Sequence, residues 1–343
     1  MSQDPQQSFS KNVLVWGAYG FMGRHLVGRL LELGAQVSIL TRERSRYMPA
    51  PWDAAPEGDS ITRFEVGTGF EAGAGDPQPV FRRAVESADV VFNFAGANGA
   101  VRSNQDPQRS AAESARVQVA FLQACAQSGR RPHVVFSSSR LVYGRARGLP
   151  VPEDHPLAPR SFYAANKLCC EDYHRAFAAS GRLTFTICRI SNAFGPDPEF
   201  ARKDHGVINA FVEQAIAGEP LRLFGDGCQF RDYIYIDDLV EALLLCGTRP
   251  DARDETFNVG SGEGIRLCDA AEEIRRAAAG PPIEFQPWPT DYEKVESGDY
   301  VSQIAKIRSR LGFSPACSFR EGLARYVQRH PQTRAKTLSS GPR

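Results

Sequence analysis

Short apolar runs and longer segments with a helical period alternate along the first half of the chain. The apolar runs have the length of buried strands and occupy residues 12–16, 35–40, 61–66, 90–94, 133–137 and 184–189. Segments whose apolar residues recur every three to four positions lie between them, at 21–33, 79–87, 106–128 and 162–179. Strands that alternate with helices predict an α/β fold with a parallel, doubly wound sheet.

The pattern changes after residue 190, where the predicted elements become shorter. They lie at 206–217, 221–223, 237–245, 257–259, 267–279 and 319–328. Two stretches rich in Pro, Gly and Ala, 43–60 and 67–79, predict long loops. Residues 1–10 and 331–343 are polar, so we expect two tails, the second of them mobile.

Composition narrows the class of protein. The chain has 343 residues, of which 42% are hydrophobic and 24% charged, and its formal net charge is +1. This balance gives no electrostatic argument for a nucleic-acid or membrane partner. No stretch approaches the ~18 apolar residues of a membrane span, and residues 1–10 lack the apolar core of a signal peptide. The eight cysteines are scattered without metal-ligand spacing, so we expect a cytoplasmic protein with reduced thiols and no metal site.

A glycine-rich turn joins the first predicted strand to the first predicted helix. The spacing is Gly17-x-x-Gly20-x-x-Gly23. Glycines let the backbone approach a pyrophosphate, and the helix N-terminus supplies N–H donors, so the turn predicts a dinucleotide site. The candidate cofactor-binding residues here and after the fourth strand are Gly17, Tyr19, Gly20, Phe21, Met22, Gly23, Phe94, Ala95 and Gly96.

A tyrosine and a lysine lie four residues apart on the helix predicted at 162–179. Tyr163 and Lys167 therefore share one face of that helix. A phenol titrates near pH ~10, and a nearby ammonium lowers that pKa. Tyr163 could then exchange a proton with a substrate hydroxyl, with Ser139 as a relay. A solvated tyrosine over a lysine stem is the alternative reading of the pair.

These motifs together resemble the extended short-chain dehydrogenase/reductases. The resemblance is carried by Gly17-x-x-Gly20-x-x-Gly23, Phe136-Ser-Ser-Ser139, Val142-Tyr143-Gly144 and Tyr163-x-x-x-Lys167. The runs Phe224-Gly-Asp-Gly227 and Arg231-Asp-Tyr-Ile-Tyr-Ile-Asp-Asp-Leu239 are similar to the nucleotide-sugar branch of NAD-dependent epimerases and dehydratases, which includes UDP-glucose 4-epimerase.

The resemblance covers roughly residues 11–330 and implies an organisation. A Rossmann-type NAD(P)-binding domain is expected at 11–190, and a smaller, interleaved α/β substrate lobe mainly at 191–330. Segments around 232–260 are expected to return to the cofactor domain.

The resemblance also implies roles for individual residues. Ser139 matches the catalytic serine, Tyr163 the acid/base, and Lys167 the residue that holds the nicotinamide ribose. Its implied substrate-binding residues are Ser139, Arg140, Asn192, Arg231 and Lys294, for a nucleotide-diphosphate sugar. Arg231 matches the arginine that binds the diphosphate, and Lys294 is the cation nearest the place of a second family arginine.

The end of the second strand bears on cofactor choice. NAD-specific relatives carry an acidic residue near the position of Thr41, whereas here Arg42 and Arg44 follow it. A guanidinium suits the 2′-phosphate of NADP. We therefore expect NADP rather than NAD, with solvated loop arginines as the alternative.

The run after Ser139 restricts the reaction. Dehydratases of the branch have Asp-Glu where this chain has Arg140-Leu141, so water elimination lacks its acid and base. The reaction that remains is hydride transfer at C4 of a nucleotide-linked hexose. We expect 4-epimerisation first, and NADPH-dependent reduction of a 4-ketosugar as the alternative. A non-catalytic NADP-binding sensor or scaffold is the alternative from another class.

A homodimer is a further implication of the resemblance. Family members pair the helices that correspond to 106–128 and 162–179 across a two-fold axis. Apolar residues that could form this face, or could equally pack on the sheet, are Val117, Phe121, Leu122, Leu168, Tyr173 and Phe177.

Overall fold

A computed structural model describes residues 11–42, 49–54, 61–66, 76–96, 99–196 and 206–330. Both predicted tails, most of the two predicted long loops, and Arg44 lie outside the described residues. The strands are β1 Asn12–Trp16, β2 Gln36–Thr41, β3 Ile61–Glu65, β4 Val90–Asn93, β5 His133–Ser139, β6 Thr184–Ile190, β7 Asn192–Phe194, β8 Leu221–Phe224, β9 Phe230–Tyr235, β10 Glu255–Val259, β11 Gly264–Arg266 and β12 Ile283–Gln286. The helices are α1 Phe21–Glu32, α2 Gln78–Val85, α3 Ala100–Gln105, α4 Pro107–Ala111, α5 Val117–Gln127, α6 Phe162–Ala179, α7 Val207–Ala217, α8 Ile236–Thr248, α9 Leu267–Ala277, α10 Thr290–Val295, α11 Ala305–Leu311 and α12 Phe319–Arg329.

Seven parallel strands form the central sheet in the order β10-β6-β5-β4-β1-β2-β3. The predicted α/β fold with a parallel, doubly wound sheet is confirmed. The strand order reverses at β1, which lies between β2 and β4. In such sheets a crevice opens at the carboxyl ends of the strands where the order reverses, and ligands bind there.

Apolar side chains cover both faces of the sheet. Consecutive residues of β1, β4 and β5 are buried, as expected for strands with helices on both sides. On one face, the Trp16 ring lies 5.3 Å from that of Phe81 and 4.4 Å from that of Phe121. Aromatic contacts of this kind contribute about 0.5–1.5 kcal/mol each, so they fix α2 and α5 on the sheet.

The single helix predicted at 106–128 is divided in the structure. Asp106 caps α4 by accepting a hydrogen bond from the Arg109 backbone N–H at 3.0 Å, and Pro107 takes the first helical position, where its missing N–H costs nothing. A π-helical turn at Ala112–Arg116 then leads into α5. Helix α3 precedes this region and was not predicted. The apolar period alone does not separate an α-helix from one with a wider turn.

The second half of the chain forms two small sheets and rejoins the large one. Strands β11, β9 and β7 form one small sheet, and β12 pairs with β8 in the other. Strand β10 pairs with β6 at the edge of the central sheet, and α8 packs against α1 and the central strands.

Of the six apolar residues suggested for a dimer face, three lie in the core of the protomer and three are partly exposed. Val117, Phe121 and Leu122 are at most 3% exposed and belong to the core between helices and sheet. Tyr173 and Phe177 pack against the same core, and Leu168 packs against a separate cluster around Tyr143 and Tyr300. All six residues therefore pack within the protomer, Leu168 away from the sheet core, and the dimer stays a prediction.

Three further findings concern the described residues. No helix there is long and apolar enough to cross a membrane. No group of three or more His, Cys, Asp or Glu side chains in the described ranges could hold a metal ion. All eight cysteines are free thiols, and Cys228 is exposed whereas most of the others are buried.

Candidate active site

The glycine turn lies between the end of β1 and the start of α1. Gly17 has φ 91°, a conformation that side chains rarely adopt. A Cβ on Gly23 would overlap the Gly17 carbonyl oxygen. Gly20 is the N-cap of α1 and offers no side chain to bond the first N–H groups of the helix. The turn is therefore tight and leaves helix N–H donors available to an anion, which fits a pyrophosphate.

The other predicted residues of the turn point into the protein. Tyr19 is 2% exposed, and its hydroxyl donates to Asp53 Oδ1 at 2.8 Å. Phe21 and Met22 pack against the core that α1 shares with the sheet. Since the Tyr19 hydroxyl bonds Asp53, the turn can offer a cofactor mainly its backbone.

One more candidate segment lies at the end of the neighbouring strand β4. Phe94 follows β4 and donates its backbone N–H to Trp16 O at 2.9 Å, which joins it to the turn. Ala95 donates its backbone N–H to Asn93 Oδ1 at 3.3 Å. A Cβ on Gly96 would lie 3.5 Å from Ser114 Oγ and 3.9 Å from Lys167 Nζ. The glycine thus leaves room between the turn and the catalytic lysine.

The arginine predicted to select NADP has an acidic neighbour. Thr41 is buried at the end of β2. The Arg42 guanidinium lies 3.8 Å from the Glu113 carboxylate, which also forms an ion pair with Arg109 at 2.7 Å. Glu113 belongs to the π-helical turn, so a 2′-phosphate would have to compete with its charge for Arg42.

The structure brings Ser139, Tyr163 and Lys167 together. Ser139 ends β5, and its hydroxyl lies near enough to the Tyr163 phenol to oppose the rise in the pKa of that phenol. Lys167 is 6% exposed and donates from Nζ to Ser137 O at 2.6 Å. Its ammonium lies 5.9 Å from the centre of the Tyr163 ring. The solvated-surface alternative is therefore wrong for this pair.

Burial sets the titration of the two groups. It lowers the pKa of Lys167 to about 8. It also raises the pKa of Tyr163, an effect opposed by the Ser139 hydroxyl and by the charge of Arg140. The expected lowering of the phenol pKa by Lys167 is thus wrong for the protein alone, because burial outweighs it and Lys167 is directed to the Ser137 carbonyl.

Helix α3 positions the tyrosine, which the sequence did not reveal. Ser103 Oγ accepts the Tyr163 backbone N–H at 2.8 Å, and Asn104 Oδ1 accepts that of Phe162 at 3.0 Å. Ser161 caps α6 by accepting from Ala164 N at 3.2 Å. The first turn of α6 is therefore held by side chains from two segments.

A buried ion pair behind the catalytic residues also escaped the sequence analysis. Glu171 is fully buried, and Arg189 on β6 donates to its two carboxylate oxygens at 3.0 and 2.8 Å. Burial opposes the charge of Glu171, yet the bonds from Arg189 keep the pKa of this carboxyl below its ordinary value. Glu171 lies one helical turn after Lys167, so the four-residue spacing could have shown in the sequence that the two residues share a helix face. Its partner Arg189 could only be found in the fold.

Three of the predicted substrate residues cluster beyond the catalytic pair. Arg140 Nε donates to Asn192 Oδ1 at 3.3 Å, and Asn192 Nδ2 donates to Asp232 O at 2.9 Å. Arg231 donates from Nη2 to Glu296 Oε1 at 2.6 Å and from Nη1 to Gly298 O at 2.7 Å. Glu296 was missed because the sequence analysis sought a cation before Gly298-Asp299.

Lys294 does not join this cluster. Its side chain is 65% exposed, and its ammonium lies 3.5 Å from Asp291 within α10. An exposed ion pair of this kind contributes little free energy. The neighbouring segment that reaches the cluster is instead Glu296–Gly298.

Comparison with known proteins agrees with this arrangement. Residues 13–260 match the profile of the NAD dependent epimerase/dehydratase family. The UDP-glucose 4-epimerase of Mycolicibacterium smegmatis is 31% identical over 320 residues, which are 92% of this chain and 97% of that protein.

Solved structures give the same picture. The UDP-glucose 4-epimerase of Thermotoga maritima, determined with UDP-glucose, has a TM-score of 0.80 at 26% identity, covering 95% of this chain and 99% of that one. The enzyme of the same name from Thermus thermophilus, in complex with NAD, has a TM-score of 0.79 at 28% identity, covering 94% and 99%.

Proposed function

The chain belongs to the NAD dependent epimerase/dehydratase family, and we propose that it moves a hydride at C4 of a nucleotide-linked hexose, as a 4-epimerase. One observation carries the proposal: the Ser139–Tyr163 pair lies between the glycine turn with Lys167 on one side and the Arg140–Asn192–Arg231 cluster on the other. A cofactor and a nucleotide sugar would meet at this pair. The relatives named above as UDP-glucose 4-epimerases support the choice of reaction.

Tyr163 would carry out the proton transfer. Its phenol and the Ser139 hydroxyl would both face the C4 oxygen of the sugar. Tyr163 would take the proton of the C4 hydroxyl as the carbon is oxidised and return it to the ketone as the carbon is reduced. Because burial raises the pKa of the phenol, the phenolate depends on nearby cations and on the Ser139 hydroxyl.

The cofactor side fits a nicotinamide dinucleotide. When bound, this group supplies a reversible hydride acceptor. Gly17, Gly20 and Gly23 would bring backbone N–H groups to its pyrophosphate, and Lys167 would hold the ribose next to the nicotinamide. With its pKa lowered to about 8, Lys167 remains mostly an ammonium at pH 7 and can serve as a donor.

The substrate side fits a nucleotide diphosphate. Arg231 lies in β9 and offers a planar guanidinium, the group best suited to phosphate oxygens. Its present partner is Glu296, so a diphosphate would share or replace that contact. Asn192 retains one amide N–H beyond its bond to Asp232 O and would donate it to the substrate.

One observation favours the alternative of 4-ketosugar reduction. Arg42 follows β2, where a 2′-phosphate of NADPH would lie. A reductase takes one hydride from NADPH in each turnover and then releases the cofactor, so a preference for NADP favours reduction. The Glu113 carboxylate next to Arg42 weakens that argument. We therefore keep NADP as the expected cofactor and NAD as the alternative, with epimerisation as the reaction.

The expected partner is a second copy of the chain. A face on α5 and α6 would have to use outward side chains such as Val119, which is 36% exposed. Light scattering at micromolar concentration tests the homodimer, and a monomeric mass would contradict it.

The function is tested by incubating the protein with UDP-, GDP-, CDP- and dTDP-hexoses and either cofactor. Ligands of the native state raise the unfolding temperature, so the panel identifies the nucleotide. Interconversion of the C4 epimers without net cofactor consumption is the expected result. Stoichiometric NADPH oxidation by a 4-ketosugar would instead show a reductase, and binding without either reaction would show a sensor.

A further inference from the structure

We propose that Arg140 binds a carboxylate on the sugar, so that the enzyme prefers a nucleotide-linked uronic acid to a neutral hexose. This inference rests on the proposed function and narrows its substrate class. It starts from a charged side chain that the proposed mechanism leaves without an ionic partner.

The contacts of Arg140 fix its guanidinium within the site. The residue directly follows Ser139 at the carboxyl end of β5. Nε bonds Asn192, Nη1 donates to Ser297 Oγ at 3.0 Å, and the guanidinium carbon lies 5.3 Å from the centre of the buried Tyr300 ring. These neighbours hold the side chain in one orientation.

Those same contacts place Arg140 between the catalytic pair and the predicted diphosphate arginine. On one side, its charge acts on the Tyr163 phenol. On the other, Asn192 lies in β7, which pairs with the strand that contains Arg231, and Ser297 directly follows Glu296. A sugar ring that joins the two ends of the substrate would lie against Arg140.

Arg140 forms no ion pair with the residues that the structure describes, and the nearby carboxylate whose charge acts on it, that of Glu296, is bonded to Arg231. Its hydrogen-bond partners, Asn192 and Ser297, are neutral, and Nη2 makes no hydrogen bond to the described part of the chain. By contrast, Arg189 is paired with Glu171 at 2.8 Å and Arg231 with Glu296 at 2.6 Å.

The missing ion pair makes the site receptive to an anion. Burial, followed by the charge of Arg231, lowers the pKa of Arg140 to about 10. A largely desolvated cation without an ionic partner is unfavourable. A ligand carboxylate would remove that cost and form a charge-assisted bond with the free Nη2 edge.

The chemistry of a hexose decides which anion lies there. The C4 oxygen would be held by Tyr163 and Ser139, and the diphosphate is attached at C1, across the ring from C4. The carboxylate of a uronic acid is attached at C5, directly beside C4. The carboxylate at C5 would therefore lie within reach of Arg140, which directly follows Ser139. The diphosphate would lie at the far end of the ring, near Arg231.

Matched ligand pairs test this inference by calorimetry with NAD or NADP present. The probes are UDP, UDP-glucose and UDP-glucuronate, with GDP-mannose and GDP-mannuronate as a second pair. Wild type should bind the uronate of the recognised pair about ten- to a hundredfold more tightly than the hexose, the range of one charge-assisted hydrogen bond. In Arg140→Met this ratio should fall to about one, while the free nucleotide still binds.

A matched control is Arg130→Met. Arg130 lies just before β5, at the end of the strand opposite to Arg140, and its exposed side chain is paired with Asp89. It should keep the wild-type ratio. Equal wild-type affinity for hexose and uronate overturns the inference even if Arg140→Met does not fold. Equal weakening of hexose, uronate and free nucleotide in Arg140→Met also overturns it, because it would assign Arg140 to the diphosphate. Failure of wild type to bind the hexose or the uronate of any of the four nucleotides, UDP, GDP, CDP and dTDP, would reject the proposed function together with this inference.

Discussion

On the cofactor side of the candidate site the backbone forms the binding surface, whereas on the sugar side the side chains form it. The turn at Gly17–Gly23 is shaped by glycines whose Cβ atoms would meet their own chain. The sugar side joins Arg140, Asn192, Arg231 and Glu296, which come from four separate segments. A backbone surface recognises what all dinucleotides share, while a surface of paired side chains can differ between relatives. The difference suggests that cofactor binding is set by the family and substrate choice by the individual chain.

The largest effect is expected where the two sides meet. Tyr163→Phe keeps the ring but removes the proton, and kcat should fall by roughly 10²–10⁴-fold, the contribution of a positioned acid/base. Cofactor and nucleotide binding should remain, as calorimetry would show. Tyr173→Phe, on the same helix, is the control and should keep its activity. Near-normal turnover of Tyr163→Phe on the true substrate would remove Tyr163 from the mechanism.

The backbone character of the cofactor side is tested at Gly23. In Gly23→Ala the new Cβ would overlap the Gly17 carbonyl and the Ala18 backbone, neither of which can move without opening the turn. The free energy of unfolding should fall by about 3 kcal/mol, at the upper end of the cost of overpacking, and cofactor affinity should fall with it.

Gly28→Ala is the matched control for that change. Gly28 lies in the same helix α1, and nothing lies within 4 Å of a Cβ placed there. Alanine should stabilise the helix by up to about 1 kcal/mol. Denaturation curves that show the same small effect at both positions would mean that the turn is not sterically defined.

A third test uses pH. The proposed cofactor side buries a neutral histidine, whereas on the proposed sugar side Arg231 is paired with an acid. His174 packs behind Lys167 with its ring stacked on Phe136, and burial lowers its pKa to about 4. Between pH 6.5 and 4 the unfolded chain then binds a proton that the folded protein does not, so stability falls as the pH falls.

Replacing this histidine should remove its share of the acid sensitivity. The loss of unfolding free energy between pH 7 and 4 should be about 2–3 kcal/mol smaller in His174→Phe than in wild type. His133, whose pKa burial also lowers to about 4, would keep its own share in both proteins. Parallel stability curves for the two proteins over this range would contradict the prediction.

The smallest effect concerns the arginine proposed to select between the two cofactors. If Arg42 meets a 2′-phosphate, Arg42→Ala should weaken NADP by roughly ten- to a hundredfold and NAD hardly at all. Glu113→Gln should act in the opposite direction on NADP, because it removes a carboxylate that competes for Arg42. Since Arg44 could compensate, the double change with Arg44→Ala is the safer variant. Equal weakening of both cofactors would mean that these arginines only shape the loop.

Local sequence patterns were sufficient for the central sheet and its cofactor turn. Each predicted strand of the first half has its counterpart in the sheet, because a buried parallel strand appears as a short apolar run. The glycine spacing likewise encodes a local conformation, and Tyr163 and Lys167 share a helix face through their four-residue spacing.

Other features followed only from residues far apart in the chain. The positioning of the first turn of α6 by Ser103 and Asn104 depends on contacts across about sixty positions. The core positions of Val117 and Phe121 could not be told from a dimer face, since both uses require the same apolar residues.

The sequence by itself therefore determined the fold class and the glycine turn, and it proposed the reacting side chains, because each depends on local geometry or on a short motif. Tertiary structure decided the electrostatics of the site. Burial, rather than the neighbouring lysine, governs the pKa of Tyr163. Glu296 rather than Lys294 faces the arginine cluster, and within the described part of the chain Arg140 has no ion pair of its own. Charge effects depend on distance and on exclusion of water, and neither is written in the order of the residues.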